Sequence, residues 1–253
     1  MEVIILGSGT ATPQLERNAS GTLVRTSSLN VLVDIGPGIM RRLCEARVDY
    51  REIDVILLTH FHPDHVSDLA PFLFAHNYAY GTMRSEGFFL MGPCGVEQLY
   101  GGLVNIYGSW IVPSSNRLMI RELNESRPDY FFFKGVEIVS SPAEHSRPCI
   151  SIRINDHGKS VTISGDSAYS DNLVTLAWTT DVFVCECSMP DENMISGHST
   201  PSIAARMASL AEAKKLVLTH FYPPCDQVDV VAQASLFYSG PIVKSEDLLK
   251  IEI

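Results

Sequence analysis

The chain has 253 residues, 45% hydrophobic and 19% charged, enough to bury a substantial core and too regular for a disordered chain. Its 29 acidic residues against 19 basic ones leave a net charge of −10, which argues against strong nonspecific binding to nucleic acid through a basic surface. The opening Met1-Glu2-Val3-Ile4-Ile5-Leu6 lacks a basic leader and is too short for a membrane span.

In chain order, Val3 to Leu6 predicts a strand that runs into Gly7-Ser8-Gly9-Thr10. That loop lacks the third glycine and the acidic partner of a dinucleotide site, so it reads as a strand-to-loop turn. Val31-Leu32-Val33 predicts a strand ending in Asp34, with a tight turn at Gly36-Pro37-Gly38. The run Val55-Ile56-Leu57-Leu58 reads as a buried strand. Its carboxyl end delivers Thr59-His60-Phe61-His62-Pro63-Asp64-His65, and a density of imidazole and carboxylate as high as this is ligand chemistry for zinc and its neighbours. Pro63 suits the first turn of a helix, where a missing N–H costs nothing.

A helix is predicted around Ser67 to Tyr80, a strand over Phe88 to Met91, and a helix after Gly92-Pro93 running through Gln98 to Tyr107. Phe72, Phe74, Tyr78, Tyr80 and Trp110 are core residues by default, with a substrate pocket or a dimer face as the alternative. His145 falls at a turn before the strand-like Cys149 to Ile154, and Asn155-Asp156-His157-Gly158 forms a hairpin turn. Val161-Thr162-Ile163 leads to Gly165-Asp166, and Leu216-Val217-Leu218 leads to Thr219-His220-Phe221. His76, in an apolar helical stretch, and His157, in its hairpin, are not expected to bind metal. The six cysteines show no C-x-x-C pair and read as reduced thiols; a zinc thiolate at Cys185 and Cys187 is the alternative. One domain over 1–253 and a cytoplasmic location are expected.

Two echoes run through the chain. Leu216 to Pro223 repeats the pattern of Ile56 to Pro63, and Val31 to Gly36 parallels Val161 to Asp166. The expectation is an internal duplication, with two related halves facing each other so that their strand ends share one edge of a two-sheet sandwich.

The H-x-H-x-D-H run from His60 to His65 resembles the signature of the metallo-β-lactamase superfamily, whose fold is an α/β four-layered αββα sandwich with a two-metal site. Glu16-Arg17-Asn18-Ala19-Ser20, Cys185-Glu186-Cys187 and Gly197-His198-Ser199-Thr200 are similar to ribonuclease Z and related phosphodiesterases. The resemblance implies that His60, His62 and His145 hold one metal, that Asp64, His65 and His220 hold the other, and that Asp166 bridges them. It implies two divalent ions, zinc first, with manganese or iron as alternatives. Asp64 would also orient or deprotonate the attacking water, and His198, paired with Glu186, would assist the leaving oxygen. A polar cap before the helix near Ser199 to Ser202 is the alternative for His198. Asp34 would fix the tautomer of a ligating histidine, or simply cap its turn.

The reaction implied is hydrolysis by hydroxide generated between two metals, on a small phosphodiester or a nucleic-acid end. The ribonuclease Z family carries a Gly/Pro-rich arm that clamps tRNA; the interval from His145 to Asp166 reads instead as two strands and one hairpin. Transfer-RNA 3′-end processing is therefore the second reading, followed by lactone, carboxylic or sulfate ester hydrolysis. A noncatalytic metal-binding protein is the alternative from another class. The likeness also suggests a homodimer.

Overall fold

The computed structural model describes residues 1–78, 87–113 and 117–253. The first half contains β1 (Glu2–Gly7), β2 (Gly21–Arg25), β3 (Asn30–Val33), α1 (Ile39–Glu45), β4 (Val55–Leu57), α2 (Pro63–Val66), α3 (Leu69–Asn77), β5 (Phe88–Pro93), α4 (Val96–Tyr107) and β6 (Leu118–Leu123). The second contains β7 (Asp129–Phe133), β8 (Val136–Pro142), β9 (Ile150–Asp156), β10 (Lys159–Ile163), α5 (Asp171–Leu176), β11 (Val182–Glu186), α6 (Pro201–Leu210), β12 (Leu216–Thr219), α7 (Val230–Ser235), β13 (Ile242–Lys244) and β14 (Leu249–Glu252).

Among the described residues the strands form two seven-stranded sheets, ordered β14-β1-β2-β3-β4-β5-β6 and β13-β12-β11-β10-β9-β8-β7. Three apolar clusters fix the layering. Val3, Val31, Val33 and Leu57 of the first sheet pack on Ile138, Ile152, Val161 and Val184 of the second. The outward side chains of the first sheet, including Ile4, Leu32 and Ile56, pack on Ile39, Leu43, Leu69, Phe72 and Val96 from α1, α3 and α4. Those of the second, including Phe183, Leu216 and Leu218, pack on Leu173, Ala204, Met207 and Ala234 from α5, α6 and α7. The result is an αββα sandwich. Strands such as Val55-Ile56-Leu57, covered on both faces, read as unbroken apolar runs for this reason.

Each half repeats one plan, in which antiparallel strands lead into parallel strands joined through helices. β3-β4-β5-β6 are successively parallel in one sheet and β10-β11-β12-β13 in the other. Under this correspondence β3 matches β10, so the echo between Asp34 and Asp166 falls on equivalent strand ends. The other echo does not. His60 follows β4, whose counterpart is β11, whereas His220 follows β12; the shared Thr-His-Phe is a local likeness at two inequivalent strands.

Boundaries shift at two elements. The helix predicted from Ser67 to Tyr80 begins at Leu69, separate from the short α2, because the Asp68 N–H is taken by the Ile35 carbonyl at 3.0 Å and the chain turns between Val66 and Leu69. Its predicted end at Tyr80 lies outside the described residues. Gly92 and Pro93 belong to β5, paired with Glu122 and Leu123, and the helix begins only at Val96. Among the described residues no helix is long and apolar enough to cross a membrane.

Candidate metal centre

The C-terminal ends of β3, β4, β8, β10, β11 and β12 open on one edge of the sandwich, where α/β proteins place their chemistry. Asp34, His60, His145, Asp166, Glu186 and His220 all sit at or just beyond those ends. Pro63 occupies the first turn of α2, whose short helix turns Asp64 and His65 back into the edge. Gly36 permits this approach, since a Cβ there would lie 2.0 Å from the Asp64 carbonyl oxygen. Gly165, at φ +61°, lets β10 turn so that Asp166 enters the cluster.

Among the described residues, three groups of side chains converge closely enough to hold a metal ion: His60, His62, His145 and Asp166; Asp64, His65 and His220; and Asp166, His198 and His220, which shares members with the other two. Asp166 lies between the first two. Its Oδ2 faces His60 Nε2 at 3.7 Å and His145 Nε2 at 3.8 Å, while its Oδ1 faces His65 Nε2 at 3.4 Å and His220 Nε2 at 3.3 Å. Asp64 Oδ2 stands 3.7 Å from both His65 Nε2 and His220 Nε2.

The hydrogen bonds around the cluster assign the imidazole tautomers. His65 Nδ1 donates to Asp34 Oδ2 at 2.7 Å, and His145 Nδ1 donates to the Gly197 carbonyl at 2.8 Å. Thr59 Oγ1 donates to the Asp34 carboxylate and so accepts from His60 Nδ1 at 3.0 Å. Ser188 Oγ donates to Glu186 Oε2 at 2.6 Å and so accepts from His220 Nδ1 at 3.1 Å. Each of these four rings then turns a bare Nε2 lone pair inward. His62 is the inverse case, with Nε2 by Ser146 Oγ and Nδ1 facing His145 Nε2 at 3.3 Å.

Lone pairs aimed at one another are repulsive without a cation. His65 Nε2 and His220 Nε2 stand 3.2 Å apart, and both His60 Nε2 and Asp166 Oδ1 are buried with no hydrogen-bond partner. Buried polar atoms are seldom left so. Together with a neutral-imidazole and carboxylate donor set, these unpartnered atoms fit divalent metal ions.

For His60, Asp64 and Asp166 electrostatics point the same way; at His65 burial works to lower the pKa, yet Asp166 and Asp34 raise it well above the ordinary value, so a metal ion there takes the place of a proton. Burial, reinforced by His65, pushes the His60 imidazole down to about 2, so it stays neutral as a ligand must be. Burial works against ionised Asp64, yet the neighbouring His220 and His65 hold its carboxyl at about 2. For Asp166 the same contest, against burial and in favour of His220, His65 and His60, leaves the carboxyl well below its usual range.

Beside the cluster, His198 Nδ1 donates to Glu186 Oε1 at 2.9 Å and its ring packs against His145, with centroids 4.7 Å apart. Burial alone would lower its pKa, but the Glu186 hydrogen bond and charge, with Asp166, raise it above the ordinary value. Glu186 is itself held by the Ser167 N–H and by Ser188. His198 does not cap the following helix, whose N-cap is Thr200; Asp191 accepts from the Ser202 N–H there instead.

The structure thus brings together every metal and catalytic candidate of the sequence, with Asp34 behind His65. Three contributors went unread: Thr59, Ser188 and the Gly197 carbonyl. Thr59 was signalled by its place between strand and motif; Ser188 and Gly197 act through a tertiary contact and a backbone oxygen, which carry no sequence signal. His76 packs against Phe72 and Phe88, and His157 lies in its hairpin beside Asp156. Cys185 and Cys187 are buried in the helix-facing core, and among the described residues no metal-capable group includes a cysteine.

The aromatic residues after the motif divide. Phe72 is core, edge-on to Tyr50 and Phe88, because its position on α3 faces the sheet. Phe74 and Trp110 are exposed and, with Ala70, Pro71, Tyr107 and Ile111, line an apolar hollow of about 610 Å³ that includes none of the cluster residues. Tyr78 packs against Trp110 with its ring tilted by 40° and centroids 5.6 Å apart, and Tyr80 lies outside the described residues.

Residues 29–221 match the family described as "Beta-lactamase superfamily domain", and the chain belongs to that family, whose metallo-hydrolase members imply divalent metal ions. Among its relatives is a protein named ribonuclease Z from Mycobacterium bovis, 26% identical over all of this chain and 98% of its own length. An uncharacterised protein of Mycobacterium tuberculosis is 30% identical over 96% of this chain and 88% of its own. The fold matches that of human tRNase Z, short form, with TM-score 0.84 and 24% identity, covering 100% of this chain and 99% of that one. The protein is a metal-dependent hydrolase of this superfamily, similar to ribonuclease Z and to phosphodiesterases.

Proposed function

We infer that this protein is a two-metal phosphodiesterase acting on small phosphodiesters. The observation that carries the reading is Asp166, each of whose carboxylate oxygens faces a separate set of ligand-ready imidazoles. His60, His62 and His145 would hold one ion, Asp64, His65 and His220 the other, with Asp166 shared and zinc the first choice. Bound there, such cations acidify a water from about 15.7 towards about 7 and offset charge developing on phosphate oxygens.

The chain's own groups supply the remainder. Asp64, ionised and buried beside the cluster, orients the attacking water and can accept its proton. Glu186 holds His198 by Nδ1 and favours its protonated form, so His198 can give a proton to the departing alkoxide. Asp34, through His65, fixes the tautomer that leaves Nε2 bare. A cytoplasmic setting accompanies the reading, since the six cysteines are free thiols.

The test is metal content and hydrolysis of bis(p-nitrophenyl) phosphate by the wild type and by Asp166→Ala. About two ions per chain, with turnover lost in the variant, is the expected result; two ions without phosphodiester turnover would sink the reading. Transfer-RNA 3′-end cleavage is the second reading, favoured by the relatives named ribonuclease Z. Incubation with a 3′-extended tRNA precursor decides it, cleavage after the discriminator base being the positive outcome.

A further inference from the structure

A cleft of about 640 Å³ opens beside the cluster, lined by Glu144, His145, Ala168 to Asn172, Ser196 and Gly197. Its walls are two loops tied together, with the Ala168 N–H donating to the Glu144 carbonyl at 2.9 Å and the Glu144 N–H to Ser167 Oγ at 3.1 Å. His145 belongs both to this cleft and to the cluster, so a group bound in the cleft adjoins the reacting phosphate.

Its chemistry is selective. Tyr169 is 42% exposed, yet its hydroxyl is anchored to Asp171 Oδ1 at 2.9 Å, so the wall carries an open aromatic ring held in place. The charged side chains of this lining, Glu144 and Asp171, are acidic, and none is basic. A chain of further phosphates would be repelled there, whereas a flat ring bearing N–H donors gains a stacking surface and two carboxylate acceptors.

We propose that this cleft is the subsite for one arm of the phosphodiester, that the arm is a nucleoside, and that Tyr169 is the residue that selects it by stacking on the base. The assignment rests on the phosphodiesterase reading above and names the substrate class of that site. It places the base against Tyr169, its amino groups towards Glu144 and Asp171, and the phosphate at His145.

Two esters with the same leaving group test it, adenosine 5′-(p-nitrophenyl phosphate) and ethyl p-nitrophenyl phosphate. Wild type should show a KM at least about tenfold lower for the nucleoside ester, the size of effect a stacked base supplies. Tyr169→Ala should erase that preference by raising KM for the nucleoside ester alone, with kcat and the ethyl ester within about twofold of wild type. Calorimetric binding of adenosine 5′-monophosphate should weaken by the same factor. Equal effects on both esters, or none on either, would overturn the assignment while leaving the phosphodiesterase reading intact. Wild-type protein that turns over neither ester sinks that reading and the subsite with it.

Discussion

At the scale of single residues, the centre is built by carboxylates and hydroxyls that never enter it. Asp34 accepts from Thr59 and His65 at once, so Asp34→Ala should free the His65 ring while leaving all candidate ligands present. The expected result is a loss of about 10- to 100-fold in zinc affinity, read by competition with a chromogenic chelator. His198→Ala should leave bound metal unchanged and lower kcat by about 10²- to 10⁴-fold, the range of a lost general acid. Loss of metal in that variant would instead make His198 a ligand.

The metal motif was legible because its spacing concentrates donors in one turn, and Asp166 through the likeness to the superfamily, its echo with Asp34 marking only a strand end. Ser188 was not, since its value comes from lying between Glu186, His198 and His220, which only folding brings together.

At the scale of elements, the site depends on how tightly strands and loops approach. Gly36→Ala would set a methyl group against the Asp64 backbone and displace α2, so it should cost metal occupancy as well as stability. Elemental analysis of the purified variant checks this, and full occupancy would show that α2 adapts. Further from the centre, Arg17 joins the loop after β1 to the region after β12, with a two-pronged pair to Asp226 that includes a 2.9 Å contact and a guanidinium 4.7 Å from the Phe221 ring centre. Arg17 and Lys244 hold the Asp226 carboxyl at about 2. A carboxyl depressed on folding stabilises fully above its unfolded pKa, near 4, and that stability is lost as pH falls through the folded value. Asp226→Asn should therefore melt a few degrees below wild type at pH 7, with the gap closing between about pH 4 and pH 2.

Strands with two covered faces were readable as apolar runs, while the αββα sandwich came from the likeness to the superfamily, helped by the echoes between the two halves. The start of α3 at Leu69 was not readable, because it is set by a bond from Asp68 to Ile35 across the fold. The equivalence of β3 with β10 likewise needed the pairing order, and it demoted the more conspicuous Thr-His-Phe repeat.

At the scale of the molecule, a metal centre of unpartnered buried atoms is also a folding element. Removing metal should leave lone pairs and carboxylates facing one another, so stripped protein should melt lower. Zinc at about 100 times its Kd should restore about 2.7 kcal/mol for each site it fills. Thermal melts across a zinc titration measure this, and a melting point independent of zinc would count against a metal site in the folded state.

The pairing of β1 with β14 joins Glu2–Ile5 to Leu249–Glu252, and Asp247 receives the Ser8 and Asn18 amides. During synthesis, then, β1 emerges long before the strand that covers its outer edge. Until then the nascent chain displays an open apolar strand, a template for unwanted pairing with other chains. Slow translation would prolong that exposure, and the arrival of β14 is the clasp that ends it.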